Sequence, residues 1–228
     1  MKLKMIVILG ILFLVSQVSA QENLVLKSQK EKVSYIIGMD IGSNLKKQAI
    51  DIDSTILARG VKDAFSGVKP LLTEQEIQET MVAFQKEMMA KQADVAKKNK
   101  AEGEAYLTEN KKKEGVKTLP SGLQYKVIKG GTGKKPKSND TVTVHYRGTL
   151  IDGTEFDSSY KRGQPVSFLV SGVIPGWTEA LQLMEVGAKW QLFIPSNLAY
   201  GEKGAGRDIG PNATLIFEVE LVSIQEKK

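Results

Sequence analysis

Side chains able to do covalent or metal chemistry are scarce in this sequence. It has no cysteine, a single histidine and no G-x-S-x-G motif, which leaves thiol and serine-triad mechanisms without residues to work with. His145 stands between Val144 and Tyr146 in an alternating run, the setting of a structural histidine on a strand. A metal site built from one imidazole and scattered carboxylates has no support in the spacing. Gly130-Gly131-Thr132-Gly133-Lys134 imitates part of a phosphate loop. Ile128 takes the place of its first glycine and Pro136 argues against a following helix, so the segment reads as a surface turn. Gly201, Gly204, Gly206 and Gly210 lack the strand-turn-helix setting of a dinucleotide site and read as a mobile loop. No metal and no cofactor are expected.

What remains is a set of aromatics beside polar turn residues: Tyr146, Phe156 with Asp157, Phe168, Trp177, Tyr200 and Phe217. Any one of them alone is more often core than site, because aromatics dominate ordinary packing. Their order and spacing change that reading. The runs Val144-His145-Tyr146-Arg147-Gly148, Asp152 through Ser159, Val173-Ile174-Pro175-Gly176-Trp177, Ala199-Tyr200-Gly201 and Pro211 through Phe217 closely resemble the FKBP-type peptidyl-prolyl isomerases over about residues 119 to 225. The helical half ahead of them is similar, less specifically, to the macrophage infectivity potentiator and FkpA-type group of bacterial envelope isomerases.

The resemblance implies a curved antiparallel sheet wrapped around one short helix, with a pocket between them for a proline ring. Carried over by position, Trp177 forms the floor, and Tyr146, Phe156, Val173, Ile174 and Phe217 line the walls. Ile209 closes one side, and Val166 stands where an aromatic is common. Asp157 and Tyr200 supply the catalytic polar edge, with the Ile174 amide as a donor to a substrate carbonyl. For Asp157 a structural alternative stays open, pairing with Arg162 or Tyr146 to fix the pocket. Ala205 stands where many family members have histidine. The resemblance also implies that macrolide inhibitors bind the pocket.

Such a reaction needs no nucleophile. Resonance flattens the amide and sets a rotational barrier of about 18–20 kcal/mol, so prolyl bonds isomerise spontaneously in tens to hundreds of seconds. Twisting removes resonance and lowers the amide dipole, so an apolar pocket disfavours the planar state relative to the twisted one. Donors better aligned with the twisted geometry supply the rest.

The elements that must position these residues follow two grammars. From about residue 28 to 115 apolar residues recur at three and four. Val33, Ile36, Ile37, Ile41 and Leu45 predict one helix, and Ile56, Leu57, Val61, Ala64 and Phe65 a second that stops at Gly67. Gly38 and Gly42 read equally as a site of close backbone approach and as two tolerated helix glycines. A third helix starts at Thr73, whose spacing to Glu76 is that of a capping box, with Ile77, Met81, Phe84 and Met88 on one stripe. Past Met89 the stripe fades, so a helix continuing to about Lys113 would run about 60 Å as an exposed stalk. Beyond Gly115 alternating runs predict strands at 124–128, 141–149, 166–170, 189–194 and 215–224, with a hairpin turn at Asp152-Gly153 and one helix at Gly176–Met184. The fold class is therefore α+β, with an all-helical N-terminal module ahead of an FKBP-like sheet and helix.

Composition narrows the setting. Of 228 residues, 41% are hydrophobic, enough for ordinary folded cores. Lys2 and Lys4, the apolar run from Met5 to Val15, and the Val18 and Ala20 spacing predict an export signal cleaved after Ala20. The expected domains are residues 1–20 as signal peptide, 21–115 as helical dimerisation module and stalk, and 116–228 as isomerase. The formal charge of +6, partly from the signal lysines, is spread along the chain, which argues against a nucleic-acid footprint. No lipid-anchor cysteine and no membrane span are expected in the mature protein, and its compartment is expected to be the periplasm, with association to the outer membrane left open. The helices before the stalk are too few to bury their own stripes, which predicts a homodimer through residues 28–90. Two functions fit: an isomerase acting on X-Pro bonds of unfolded or partly folded exported proteins, and a chaperone or adhesion module whose dimeric cradle holds such chains. The pocket motifs favour the first, and the helical half is what the second would use. A purely structural envelope protein leaves the pocket spacing unexplained.

Overall fold

The structure, a computed structural model, describes residues 25–225, so the expected export signal of residues 1–20 lies outside the described residues. The chain divides after Ile52 into two compact units. In the first, α1 (Gln29–Lys47) starts at a capping box in which Glu31 N–H donates to Ser28 Oγ at 3.2 Å and Ser28 N–H donates to Glu31 Oε2 at 3.0 Å. It buries none of its residues, leaving Ile36, Ile37 and Met39 more than half exposed.

The second unit begins with α2 (Ser54–Phe65), capped by Asp53 accepting from Thr55 and Ile56 N–H, and ended at Gly67 with φ +65°. It too buries no residue. The capping box at Thr73 and Glu76 opens α3 (Glu74–Asn110), one helix of 37 residues, about 55 Å long.

The expectation that the far part of this helix stands free is corrected. Gly103 and Asn110 are buried, Tyr106 packs on Phe193 with ring centroids 6.2 Å apart, and Asn110 Nδ2 donates to Gln124 Oε1 at 3.0 Å. Gln124 Nε2 in turn donates to Leu107 O at 2.8 Å. A Cβ at Gly103 would collide with Thr214 Oγ1, so the glycine is what lets the helix come close. Docking uses one glycine, one aromatic ring and side-chain amides rather than an apolar stripe, a signature that periodicity does not detect.

Seven strands form one antiparallel sheet: β1 (Val116–Thr118), β2 (Gln124–Lys129), β3 (Thr141–Leu150), β4 (Glu155–Ser158), β5 (Val166–Leu169), β6 (Lys189–Ile194) and β7 (Leu215–Ile224). The order is β1-β2-β6-β7-β3-β4, and β5 pairs with the first half of β3 beside β4 on the second half. Burial alternates along β3 and β7, so Val142, Val144, Tyr146, Leu215, Phe217, Val219 and Leu221 face one side. Across that face lies α4 (Pro175–Leu183), which buries Gly176, Trp177, Ala180 and Leu181. Pro175 at its first turn suits the fixed φ of a helix start. A Cβ on Gly176 would sit 2.6 Å from Ile194 Cγ2, so the helix seats directly on β6. Among the described residues no helix is long and apolar enough to cross a membrane.

Candidate active site

The site is a cavity of about 530 Å³ between α4, the concave face of the sheet and the loop before β7. Trp177, held at 4% exposure by the first turn of α4, forms its floor. Three rings meet this indole edge to face: Phe217 at 5.2 Å, Tyr146 at 5.3 Å and Phe168 at 5.9 Å between centroids. Phe156 stands perpendicular to Phe217 at 5.4 Å. Such edge-to-face packing contributes about 0.5–1.5 kcal/mol per pair beyond area burial and fixes ring orientation. Gly148 explains how two of these rings fit, since a Cβ there would lie 2.6 Å from Phe156 and 2.7 Å from Phe217.

The helix that carries Trp177 is itself pinned. Thr178 Oγ1 donates to Val170 O at 2.8 Å, tying α4 to the short turn that follows β5. Ile174, extended at ψ 148° as the residue before a proline must be, brings its side chain and that of Val173 to the cavity mouth. Its amide donates to no backbone carbonyl among the described residues.

The polar edge is a small network. Tyr146 Oη donates to Asp157 Oδ2 at 2.5 Å, Arg162 Nη1 donates to Asp157 Oδ1 at 2.5 Å, and Arg162 Nη2 donates to Tyr146 Oη at 2.6 Å. Partial burial pushes the Asp157 carboxyl up, but the Tyr146 hydroxyl and the Arg162 guanidinium outweigh it and hold the group below its usual range. Burial pushes the Tyr146 phenol up, reinforced by the hydrogen bond to Asp157. Burial also raises Tyr200, with the Asp157 charge adding to the effect. Both phenols are therefore neutral donors at physiological pH, beside an ionised carboxylate.

Of the site residues expected from sequence, the cavity brings together Asp157, Tyr200, Tyr146, Phe156, Val173, Ile174, Trp177, Ile209 and Phe217. Val166 is not among the lining residues. It packs against the core opposite Val144, two register pairs along β5 from Phe168. Phe168, on the same face of β5, lines the cavity instead because its ring reaches Trp177. Arg207 and Asp208 also line it and were not expected. The signal for them was the glycine spacing around positions 204–210, read as a mobile loop. That loop is closed on itself: Ala205 N–H donates to Ile209 O at 2.9 Å and Ile209 N–H donates back at 3.2 Å.

A curved sheet around one helix, with an aromatic cup at the helix start, is the architecture that the sequence motifs imply. Comparison with known proteins agrees. Residues 132–222 match the family model of the FKBP-type peptidyl-prolyl cis-trans isomerase, and residues 30–127 match that of the domain amino terminal to FKBP-type peptidyl-prolyl isomerase. The chain is 50% identical over 230 residues to the outer membrane protein MIP of Legionella longbeachae, covering 99% of this chain and 98% of that protein. It is 46% identical over 206 residues to the peptidyl-prolyl cis-trans isomerase Mip of Coxiella burnetii, covering 89% and 90%. The crystal structure of FkpA from Escherichia coli superposes with a TM-score of 0.63 at 43% identity, covering 88% of this chain and 99% of that one. The chain belongs to the FKBP-type peptidyl-prolyl cis-trans isomerases.

Proposed function

We propose that the Trp177 cup is the site at which this isomerase turns X-Pro bonds of unfolded or partly folded exported proteins. One observation carries the reading: a 4%-exposed indole floor ringed edge-to-face by three aromatics. The proline ring sits over Trp177 between Tyr146, Phe156 and Phe217, and the preceding residue meets Val173, Ile174 and Ile209. Removing the amide from water there disfavours its planar, dipolar state. Tyr200 donates to the twisted carbonyl, and the Ile174 amide holds a neighbouring carbonyl of the substrate. Both Asp157 oxygens are engaged by Tyr146 and Arg162, which supports a positioning role for Asp157.

A helical module at 21–115 precedes an isomerase module at 116–228, with α3 reaching from one to the other. The bare apolar faces of α1 and α2 support a homodimer through residues 28–90, whose cradle adds chaperone activity to catalysis. The name of the Legionella longbeachae relative, an outer membrane protein, and the leader-like first twenty residues support export to the cell envelope, in the periplasm or in association with the outer membrane. The test is cis-to-trans relaxation of X-Pro peptides by the full chain with and without a macrolide that fills the cavity. Stoichiometric loss of activity is expected; activity indifferent to a macrolide shown to bind would place catalysis elsewhere.

A further inference from the structure

Asn99 lies on α3, outside the cavity, yet its Nδ2 donates to Pro211 O, 112 residues away, at 2.8 Å. A second bond runs the other way: Asn212 Nδ2 donates to the α3 carbonyl Ala96 O at 3.4 Å. Between these bonds the loop backbone lies flat on the helix, since a Cβ on Gly210 would be 3.0 Å from Asn99 Nδ2 and 3.7 Å from Val95 Cγ1. Asn212 has φ +55°, a left-handed conformation that asparagine adopts more readily than other side-chain-bearing residues.

Both bonds grip the base of the pocket loop. Pro211 is two residues past Ile209, whose backbone is doubly bonded to Ala205. Asn212 N–H donates to Gly201 O at 2.8 Å, and Gly201 directly follows Tyr200. The two cavity side chains Ile209 and Tyr200 therefore leave the chain on either side of a clamp anchored on α3.

We propose that Asn99 is a positioning residue of the isomerase site: through Pro211, and together with Asn212, it sets where the Ile209 wall stands, so that the helix leading from the N-terminal module also sets substrate affinity. The proposal rests on the reading of the Trp177 cavity as the substrate site. A loosened wall is felt equally by bound substrate and by the twisted state, so the effect belongs in KM rather than kcat.

The test uses the full chain carrying Asn99→Ala or Asn99→Asp, the latter setting an acceptor against the Pro211 carbonyl. With X-Pro peptides, KM is expected to rise about three- to tenfold, with kcat within about twofold, as suits the loss of one hydrogen bond. The amide chemical shifts of Gly201 and Ile209 should move with it. Asn212→Gly, which suits the positive φ and removes the second bond, should fold well and show the same KM rise. Asn110→Ala cuts the docking at its far end, and should lower the melting temperature while leaving KM and the loop shifts unchanged. KM within twofold of the parent in the Asn99 and Asn212 variants would overturn the proposal. So would a KM rise in Asn110→Ala equal to that in Asn99→Ala, which would make the effect one of docking in general. Should the parent chain itself lack activity, the pocket reading fails instead, and the shifts alone still decide whether Asn99 holds the loop.

Discussion

Tyr200 and Asp157 face the same cavity but are asked to do different things. A donor that matters only when the amide is twisted lowers the barrier without tightening ground-state binding. Tyr200→Phe should therefore cut kcat about tenfold while macrolide affinity changes less than about twofold, measured by peptide isomerisation and by calorimetry. Equal loss of both would make Tyr200 a binding residue. Asp157 is held from both sides, by Tyr146 and Arg162, so Asp157→Ala should misplace a wall: KM rises and kcat stays within about twofold. A fall in kcat at unchanged KM would instead put the carboxylate on the reacting bond. Its depressed ionisation also fixes a sign. The native state binds this proton less readily than the unfolded chain, so the contribution of Asp157 to stability is full above the ordinary carboxylate range, near pH 4, and is lost as pH falls through its lowered native value. The raised phenols of Tyr146 and Tyr200 act at the other end, favouring the native state until pH climbs past about 10 and withdrawing that support as they ionise. Activity should be flat between these limits in a pH-rate profile.

Among the elements, β3 is where sequence and site meet. Gly148 lets Phe156 and Phe217 close over the strand, so Gly148→Ala should overpack the cavity wall and cost about 1–3 kcal/mol in chemical denaturation, with macrolide affinity falling alongside. The strands at β6 and β7 were legible because burial alternates over the first four residues of β6 and the first seven of β7, the period of a strand. The capping box at Thr73 was legible for the same reason: its chemistry is local. Strands β1 and β4 were not, because Val116-Lys117-Thr118 and Glu155-Phe156-Asp157-Ser158 each hold a single apolar residue, too few to show a period. The aromatic cup was readable from motif order, but Phe168 and Val166 share one face of β5 and differ in place and in side chain, and it is the Phe168 ring that meets Trp177. The docking of α3 stayed hidden because Asn99, Gly103 and Asn110 look, in sequence, like an ordinary solvated face.

At the scale of the whole molecule, α1 and α2 present Ile36, Ile56 and Phe65, at 64%, 66% and 90% exposure, with nothing of the described chain covering them. A monomer rarely leaves so much apolar surface open. Light scattering behind size exclusion should return twice the chain mass at micromolar concentration, and a monomer there would remove the dimer. Two cups on one dimer would raise avidity for a long client without any new contact. All of this serves the cup. The decisive measurement is therefore prolyl relaxation catalysed by the full chain and by Trp177→Ala, with circular dichroism showing that the variant keeps its fold. The account predicts that kcat/KM falls about tenfold or more and that macrolide binding weakens with it. A folded Trp177→Ala chain that relaxes X-Pro bonds at the parental rate, with macrolide affinity intact, would contradict it.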